Sequence, residues 1–179
     1  MVATGHVSVR VPVRAPASAV WDAVTDWNAQ GEWMPATRVR AVDGDGRGGD
    51  GRGVGGRIEA FTGFGRFGIL DTMVVTEWRP PTWCEVAHTG RVIRGTGAFS
   101  VQETPDGAVF AWSEDLELPV GALGGFAWHL ISPFMRLTVR YALTRLAHSV
   151  EAEQGDLRRS GAGQAEVSRE DRDNPEQSA

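Results

Sequence analysis

A long apolar run in the C-terminal third limits what this chain can fold into. Between Val120 and about Ala152 the apolar residues recur at three- and four-residue steps, which is the spacing of an α-helix. They form two adjacent stripes, so the predicted helix is apolar over more than half of its circumference. One flat neighbour would cover only one side of such a helix. The run therefore predicts a long helix that lies against the concave face of a curved sheet.

Two questions about this helix stay open at the level of sequence. Pro133 lies inside the run, so the helix either kinks there or starts again with Ser132 as its N-cap. We expect a kinked helix that begins near Gly121, because the apolar spacing continues through Pro133 without a change of phase. We also expect the stripe that contains Phe134 to be buried. Its members are Leu130, Phe134, Leu137 and Tyr141, and the neighbouring stripe is Ile131, Met135, Val139, Ala142, Leu146 and Val150.

Ahead of the helix the apolar residues alternate with a period of two, which is typical of strands. The predicted strands are residues 6–14, 37–42, 54–61, 67–78, 82–89, 93–103 and 108–118. The last five are joined by short links, which requires antiparallel pairing. Pro16 begins a first short helix, and a second carries Trp27, Trp33 and Met34. The order predicts an α+β fold, with about seven antiparallel strands, two short helices after strand 1, and the long C-terminal helix.

Length and composition indicate one globular domain. The chain has 179 residues, of which 41% are hydrophobic and 23% charged. We expect the domain to occupy residues 1–154, because residues 155–179 are polar and predict a disordered tail. A net charge of −5 argues against a nucleic-acid partner. Cys84 is the single cysteine, so the sequence predicts neither an internal disulfide nor a cysteine-rich zinc site.

The same features predict where the protein acts and with what. The first residues lack the apolar core of a signal peptide, and no window of about 18 apolar residues could cross a bilayer. We therefore expect a soluble cytoplasmic protein, a monomer or weak homodimer, that makes transient membrane contact at most. His129 and His148 have no ligand-like spacing with any acidic residue or with Cys84. No metal site and no cofactor are predicted.

Two stretches of the sequence resemble a known superfamily. VRAPASAVWDAVTDWNAQGEWMP is similar to the opening of START-like proteins, the polyketide cyclase/dehydrase and lipid-transport superfamily, also called SRPBCC. VVTEWRPPTWCEVAHTG is similar to the middle of the same superfamily. The resemblance covers about residues 6–152 and implies a helix-grip fold. It implies no single activity, because lipid carriers, aromatic polyketide cyclases and ubiquinone-binding chaperones share this scaffold. No catalytic motif of the superfamily transfers residue by residue.

Aromatic and apolar residues cluster where such a fold would hold a ligand, between the sheet and the C-terminal helix. A mostly apolar pocket with a few placed polar groups is the usual character of a small-molecule site. The alternative for most of these residues is that they only fill the core. The candidate ligand-binding residues are Trp33, Phe61, Phe64, Phe67, His88, Phe110, Trp112, Glu114, Leu130, Phe134, Leu137 and Tyr141.

Two of these candidates are ionisable. Glu114 has large apolar neighbours at two-residue spacing, which predicts an inward side chain, unless a bulge turns Asp115 inward instead. His88 with Glu114 would suit acid–base chemistry. The expected strand pairing, however, places His88 nearer to Leu118. That separates His88 from Glu114 by on the order of 15 Å, and no direct pair is expected.

Three functions remain open from the sequence. The leading hypothesis is binding of a hydrophobic small molecule such as a lipid, an isoprenoid quinone or a polyketide-like compound. The first alternative is an enzyme of the aromatase/cyclase or dehydratase type that uses the same pocket, with catalytic residues that the sequence does not identify. The second is a partner-binding module that uses the apolar segment GALGGFAWHLIS.

Overall fold

The computed structural model describes residues 3–42, 49–118 and 121–173. Its elements follow the predicted order. They are β1 (Ala3–Val13), α1 (Ala17–Thr25), α2 (Gln30–Trp33), β2 (Thr37–Val42), β3 (Arg57–Phe64), β4 (Phe67–Arg79), β5 (Trp83–Thr89), β6 (Arg94–Thr104), β7 (Gly107–Leu118) and α3 (Gly121–Asp173). The glycine-rich segment between β2 and β3 lies partly outside the described residues, which omit 43–48.

The seven strands form one antiparallel sheet in the order β1-β7-β6-β5-β4-β3-β2. Strand β1 is an edge, as the proline at position 12 predicts, because proline cannot donate a ladder hydrogen bond. The β6–β7 turn holds Pro105 and Asp106 between the paired residues Thr104 and Gly107. The seven-stranded sheet, the two short helices and the long C-terminal helix confirm the α+β helix-grip prediction.

The core lies between the concave face of the sheet and the three helices. Val20, Trp21 and Val24 of α1 are buried, as the helical spacing predicts. Aromatic side chains fill much of this space. The ring centroids of Trp21 and Trp78 lie 5.0 Å apart in an edge-on arrangement, which is a favoured geometry for aromatic pairs.

Helix α3 contains Pro133 within one continuous helical segment. It presents to the sheet the neighbouring apolar stripe, which contains Ala142, Leu146 and Val150. Phe134, Leu137 and Tyr141 are 70%, 67% and 55% exposed, so the prediction that they line the pocket is wrong. The side chain of Leu130 lies outside the described part of the chain. The buried residues of the helix are Ala142, Leu143, Leu146, Ala147 and Val150.

The size of the side chains accounts for this orientation of α3. Ala142 and Ala147 project only a methyl group toward the core, so the helix axis can approach the sheet closely. At the other end of the contact, Gly5 of β1 leaves room for the ring of Trp128, which a Cβ at position 5 would overlap. Large side chains at positions 142 and 147 would hold the helix axis further from the sheet.

Beyond Val150 the helix leaves the core. No residue between 151 and 161 is buried, although the helix continues to Asp173. Residues 155–173 are thus helical rather than irregular, and 174–179 lie outside the described residues. Where the domain ends stays a prediction. Among the described residues no helix is long and apolar enough to cross a membrane.

Removing residues 156–179 should leave the thermal midpoint within a few degrees of that of the full chain. The reason is that residues 156–161 bury no side chain and the rest of the segment is polar. Differential scanning calorimetry of the two proteins tests this. A larger drop would show that the segment docks on the domain.

Replacing Leu143, which is fully buried, with alanine should lower the free energy of unfolding by about 2–5 kcal/mol. The matched change Leu137→Ala on the exposed face should cost less than about 1 kcal/mol. Urea unfolding of both variants measures the difference. The opposite ranking would mean that α3 is rotated relative to the structure.

Candidate functional site

An apolar cavity of about 290 Å³ lies between the concave face of the sheet and α3. Met135 and Val139 of α3 form its roof, and strands β2 to β7 supply its floor and walls. The apolar lining is Trp27, Met34, Val39, Ile58, Ala60, Ile69, Met73, Val86, Ile93, Ala98, Phe99, Trp112, Leu116, Met135 and Val139. The polar lining is Gln30, Thr37, Thr62, Asp71, His88 and Glu114, together with the backbone of Gly97.

Four of these residues form a buried chain of hydrogen bonds across the floor. The Nδ1 atom of His88 lies 2.7 Å from Oδ2 of Asp71, and its Nε2 atom lies 2.8 Å from Oε2 of Glu114. Trp112 donates its indole N–H to Oε1 of Glu114 at 2.6 Å. Asp71, His88 and Glu114 are each at least 91% buried. The chain thus links strands β4, β5 and β7.

His88 and Glu114 are hydrogen-bonded, so the predicted separation of about 15 Å is wrong. Two features of the strand between them explain the error. His88 pairs with Gly95, which in turn pairs with Leu116, so Glu114 lies only one inward-facing position away from the line through His88. The inward residues of β6 at this point are Gly95 and Gly97, which have no side chain to separate the two groups. A Cβ at position 97 would lie 2.9 Å from both carboxylate oxygens of Glu114.

The structure places Glu114 inward, which is one of the two orientations that the sequence left open. Asp115 points to the other face of the sheet, where its Oδ1 atom lies 2.8 Å from Nδ1 of the exposed His6. Alternation along the strand therefore holds without a bulge at this position.

The two carboxylates keep His88 positively charged. Burial by itself would lower the pKa of His88, but the hydrogen bonds to Asp71 and Glu114, together with their negative charges, raise it to about 10. The hydrogen-bond pattern leads to the same state. A neutral imidazole carries one N–H, whereas this ring faces a carboxylate oxygen on both nitrogens and satisfies both only as an imidazolium.

Asp71 is the functional candidate that sequence reasoning missed. Its neighbours at two-residue spacing on β4 are Ile69, Met73 and Val75, all apolar. This is the pattern that singled out Glu114. Applied to β4, it would have found Asp71.

The structure separates the predicted aromatic residues into different environments. Trp112 lines the cavity. Phe110 is fully buried in the core beside Phe99. Trp33 is buried outside the cavity, where its ring packs edge-on against Trp112 at 6.2 Å between centroids. Trp33 therefore positions a lining residue and does not itself line the cavity.

The sequence predicted that the three phenylalanines of the β3–β4 hairpin line the cavity. The structure places all three outside it. Phe61 points to the outer face of the sheet, where the Arg38 guanidinium lies 5.3 Å from its ring centre. Phe64 and Phe67 flank the turn and are 81% and 74% exposed. Phe61 alternates with Ala60, which lines the cavity, and Phe64 pairs with Phe67 at the turn, beyond the residues that line the cavity.

Cys84 and the polar groups offer no arrangement for a metal within the described residues. Burial raises the pKa of the Cys84 thiol to about 12, so it stays protonated near neutral pH. Both nitrogens of His88 are already engaged with carboxylates. The groups on the cavity floor are therefore arranged as hydrogen-bond donors and acceptors.

A curved sheet that grips a long helix around an apolar cavity defines the class of helix-grip proteins. The chain belongs to the polyketide cyclase/dehydrase and lipid transport family, whose model matches residues 4–151. No curated protein matches the chain by sequence.

Solved structures with the same fold include two aromatase/cyclases. The Zhui aromatase/cyclase from Streptomyces sp. R1128 is 15% identical with a TM-score of 0.64, over 83% of this chain and 94% of that one. One part of the two-domain aromatase/cyclase StfQ of the steffimycin biosynthetic pathway is 13% identical with a TM-score of 0.65, over 86% of this chain and 52% of that one. A protein from Thermus thermophilus is 15% identical with a TM-score of 0.65, over 84% of this chain and 99% of that one. At these identities the likeness shows the fold alone.

The protonated His88 should make stability depend on pH in a defined window. Its pKa rises from about 6.5 in the unfolded chain to about 10 in the folded one. Below pH 6.5 both states are protonated and the stabilisation is fully present. Above pH 6.5 only the folded state keeps the proton, so the stabilisation declines and is lost as the pH passes 10.

The measurement is the free energy of unfolding of the wild type minus that of His88→Gln, taken by urea unfolding from pH 6 to pH 10.5. The difference should shrink steadily as the pH rises. His6→Gln, which removes an exposed histidine, is the matched control. A difference that stays constant across this window would contradict a charged His88.

Proposed function

We propose that this protein binds a small, mostly apolar molecule in the cavity between the sheet and α3. The observation that carries the proposal is an apolar cavity of about 290 Å³ whose floor holds one buried chain of polar groups. That volume lies at the small end of the range for ligand pockets, which is about 300–1,000 Å³. Apolar walls supply affinity, and a few fixed polar groups orient the ligand.

The energetic cost of the polar chain supports a functional role for it. Ionised groups lose hydration when they are buried, and their mutual attraction often no more than offsets that loss. Apolar residues of similar volume would stabilise the fold at least as well in many proteins. A charged chain placed on the wall of a cavity is therefore a candidate binding or catalytic feature.

The family supports the same proposal at a coarser level. Its description names polyketide cyclases, dehydrases and lipid transport, and all of these handle molecules with large apolar parts. The two aromatase/cyclases share the fold. Which apolar molecule this chain binds is not fixed by either comparison. The monomeric or weakly dimeric state and the cytoplasmic location stay predictions.

Filling the cavity should abolish binding without unfolding the protein. Ala60 lies on the cavity wall directly opposite Asp71 on the neighbouring strand, so Ala60→Phe places a ring in the ligand space. We expect native mass spectrometry of freshly purified wild type to show a bound apolar molecule that Ala60→Phe lacks. The same variant should reduce binding of 2-naphthol, a small fluorescent aromatic alcohol, by at least tenfold.

The matched control is Ala87→Phe, the same substitution on β5 at a position that alternates to the outer face. It should leave binding as in the wild type. Equal binding by the Ala60→Phe variant and the wild type would place the ligand elsewhere. A wild type that binds neither a co-purified molecule nor the probe would overturn the proposal.

A second candidate function is an enzyme of the aromatase/cyclase or dehydratase type. The specific observation in its favour is the Asp71–His88–Glu114 chain, because a carboxylate held against an imidazolium in an apolar site suits proton transfer. Glu114 lines the cavity and would accept a proton from the substrate. His88 would act through Glu114 as a positioning residue, since both of its nitrogens are engaged.

Glu114→Gln distinguishes the two candidates. It keeps the shape of the side chain and removes the ionisable group. If Glu114 moves protons, turnover of a poly-ketone substrate should fall by about 10²–10⁴-fold while the substrate still binds. If the protein only binds, no variant has turnover to lose and affinity falls by roughly tenfold. Single-turnover assays with product analysis by mass spectrometry separate the cases.

A further inference from the structure

The hydrogen-bond donors of the buried chain are already in use. His88 directs one nitrogen at Asp71 and the other at Glu114, and Trp112 donates its indole N–H to Glu114. Gln30 also lines the cavity, and its Nε2 atom donates to the backbone oxygen of Val24 at 2.7 Å. The indole N–H of Trp27, another lining residue, is buried without a partner among the described residues, but it lies beside Gly51 and away from the buried chain. The polar floor itself therefore has few donors left for a ligand.

The hydrogen-bond acceptors of the buried chain still have free lone pairs. An ionised carboxylate offers about four lone-pair sites on its two oxygens. Glu114 accepts one hydrogen bond on each oxygen, which leaves a lone pair on both. The Oδ1 atom of Asp71 is buried and has no hydrogen-bond partner among the described residues. A buried acceptor without a partner is costly.

The charge of the Asp71–His88–Glu114 chain also disfavours an anionic ligand. With His88 protonated, the two carboxylates leave the Asp71–His88–Glu114 chain with a net charge of −1. No arginine or lysine lies among the described residues that line the cavity. An anionic ligand would bring a second negative charge into apolar surroundings, where like charges repel more strongly than in water.

We propose that the ligand of this cavity is a neutral molecule that carries a hydroxyl or phenol group, and that Glu114 accepts its hydrogen bond. A carboxylate-headed lipid such as a fatty acid is disfavoured. This inference rests on the proposed function, because it assigns a chemical class to the ligand of the same cavity.

Three probes of nearly equal shape test the ligand class at pH 7. They are 2-naphthol, which has a neutral donor, 2-methoxynaphthalene, which lacks the donor, and 2-naphthoate, which is an anion. Isothermal titration calorimetry of the full-length wild type should give 2-naphthol the highest affinity. It should bind roughly ten- to a hundredfold more tightly than the methyl ether, as expected for a hydrogen bond to a charged acceptor. The naphthoate should bind most weakly.

The comparison of variants links the preference to one residue. Glu114→Gln should reduce the ratio of naphthol to ether affinity to less than about threefold and should strengthen naphthoate binding. The matched control is Glu103→Gln, which removes an exposed carboxylate on β6 and should leave all three affinities unchanged. The three-probe comparison in the wild type needs no variant, so it decides the question even if Glu114→Gln does not fold.

The outcomes separate this inference from the function on which it rests. If the ether binds as tightly as 2-naphthol and Ala60→Phe abolishes binding of both, the cavity binds apolar molecules but the donor class is wrong. Tightest binding of 2-naphthoate also overturns the donor class and leaves cavity binding in place. If none of the three probes binds, the donor class fails. Cavity binding fails as well if native mass spectrometry of the wild type shows no bound molecule.

Discussion

The site depends on a charged imidazole held between two carboxylates, and that arrangement depends on a gap in the sheet. His88 and Glu114 belong to strands that are not neighbours, and side chains on such strands are normally kept apart by those of the strand between them. Strand β6 has glycine at both intervening inward positions, 95 and 97. The imidazolium reaches Glu114 over Gly97, and Asp71 meets it from the adjacent strand. A single methyl group at position 97 would occupy the space of the Glu114 carboxylate.

The long helix creates the cavity above this chain by covering the sheet unevenly. Its buried residues Ala142, Leu143, Leu146, Ala147 and Val150 pack against the sheet and α1, and the alanines allow close approach. Toward its N-terminal end, Met135 and Val139 are only half-buried and form the roof of the cavity. One helix therefore closes the core at one end and leaves ligand-sized space at the other. The polar chain lies on the floor of that space, opposite the roof.

Much of the fold could be predicted from the sequence, because strand alternation, proline-marked turns and helical spacing are local signals. The site could be predicted only in part. Alternation identified Glu114, and the same rule would have found Asp71. The contact between His88 and Glu114 could not be read from two strands alone, since it depends on the register across a third strand and on Gly97 within it. The buried face of α3 was predicted wrongly, because two apolar stripes satisfy the same period and only packing against Gly5 and the sheet distinguishes them.

The charge state of His88 is open to direct measurement by nuclear magnetic resonance. The ¹⁵N chemical shifts of its two ring nitrogens, followed from pH 5.5 to pH 9, report whether each carries a proton. Two nitrogens that stay protonated throughout that range would agree with an imidazolium whose pKa is raised to about 10 by Asp71 and Glu114. A ring that loses a proton near pH 6.5, the ordinary value for histidine, would contradict it.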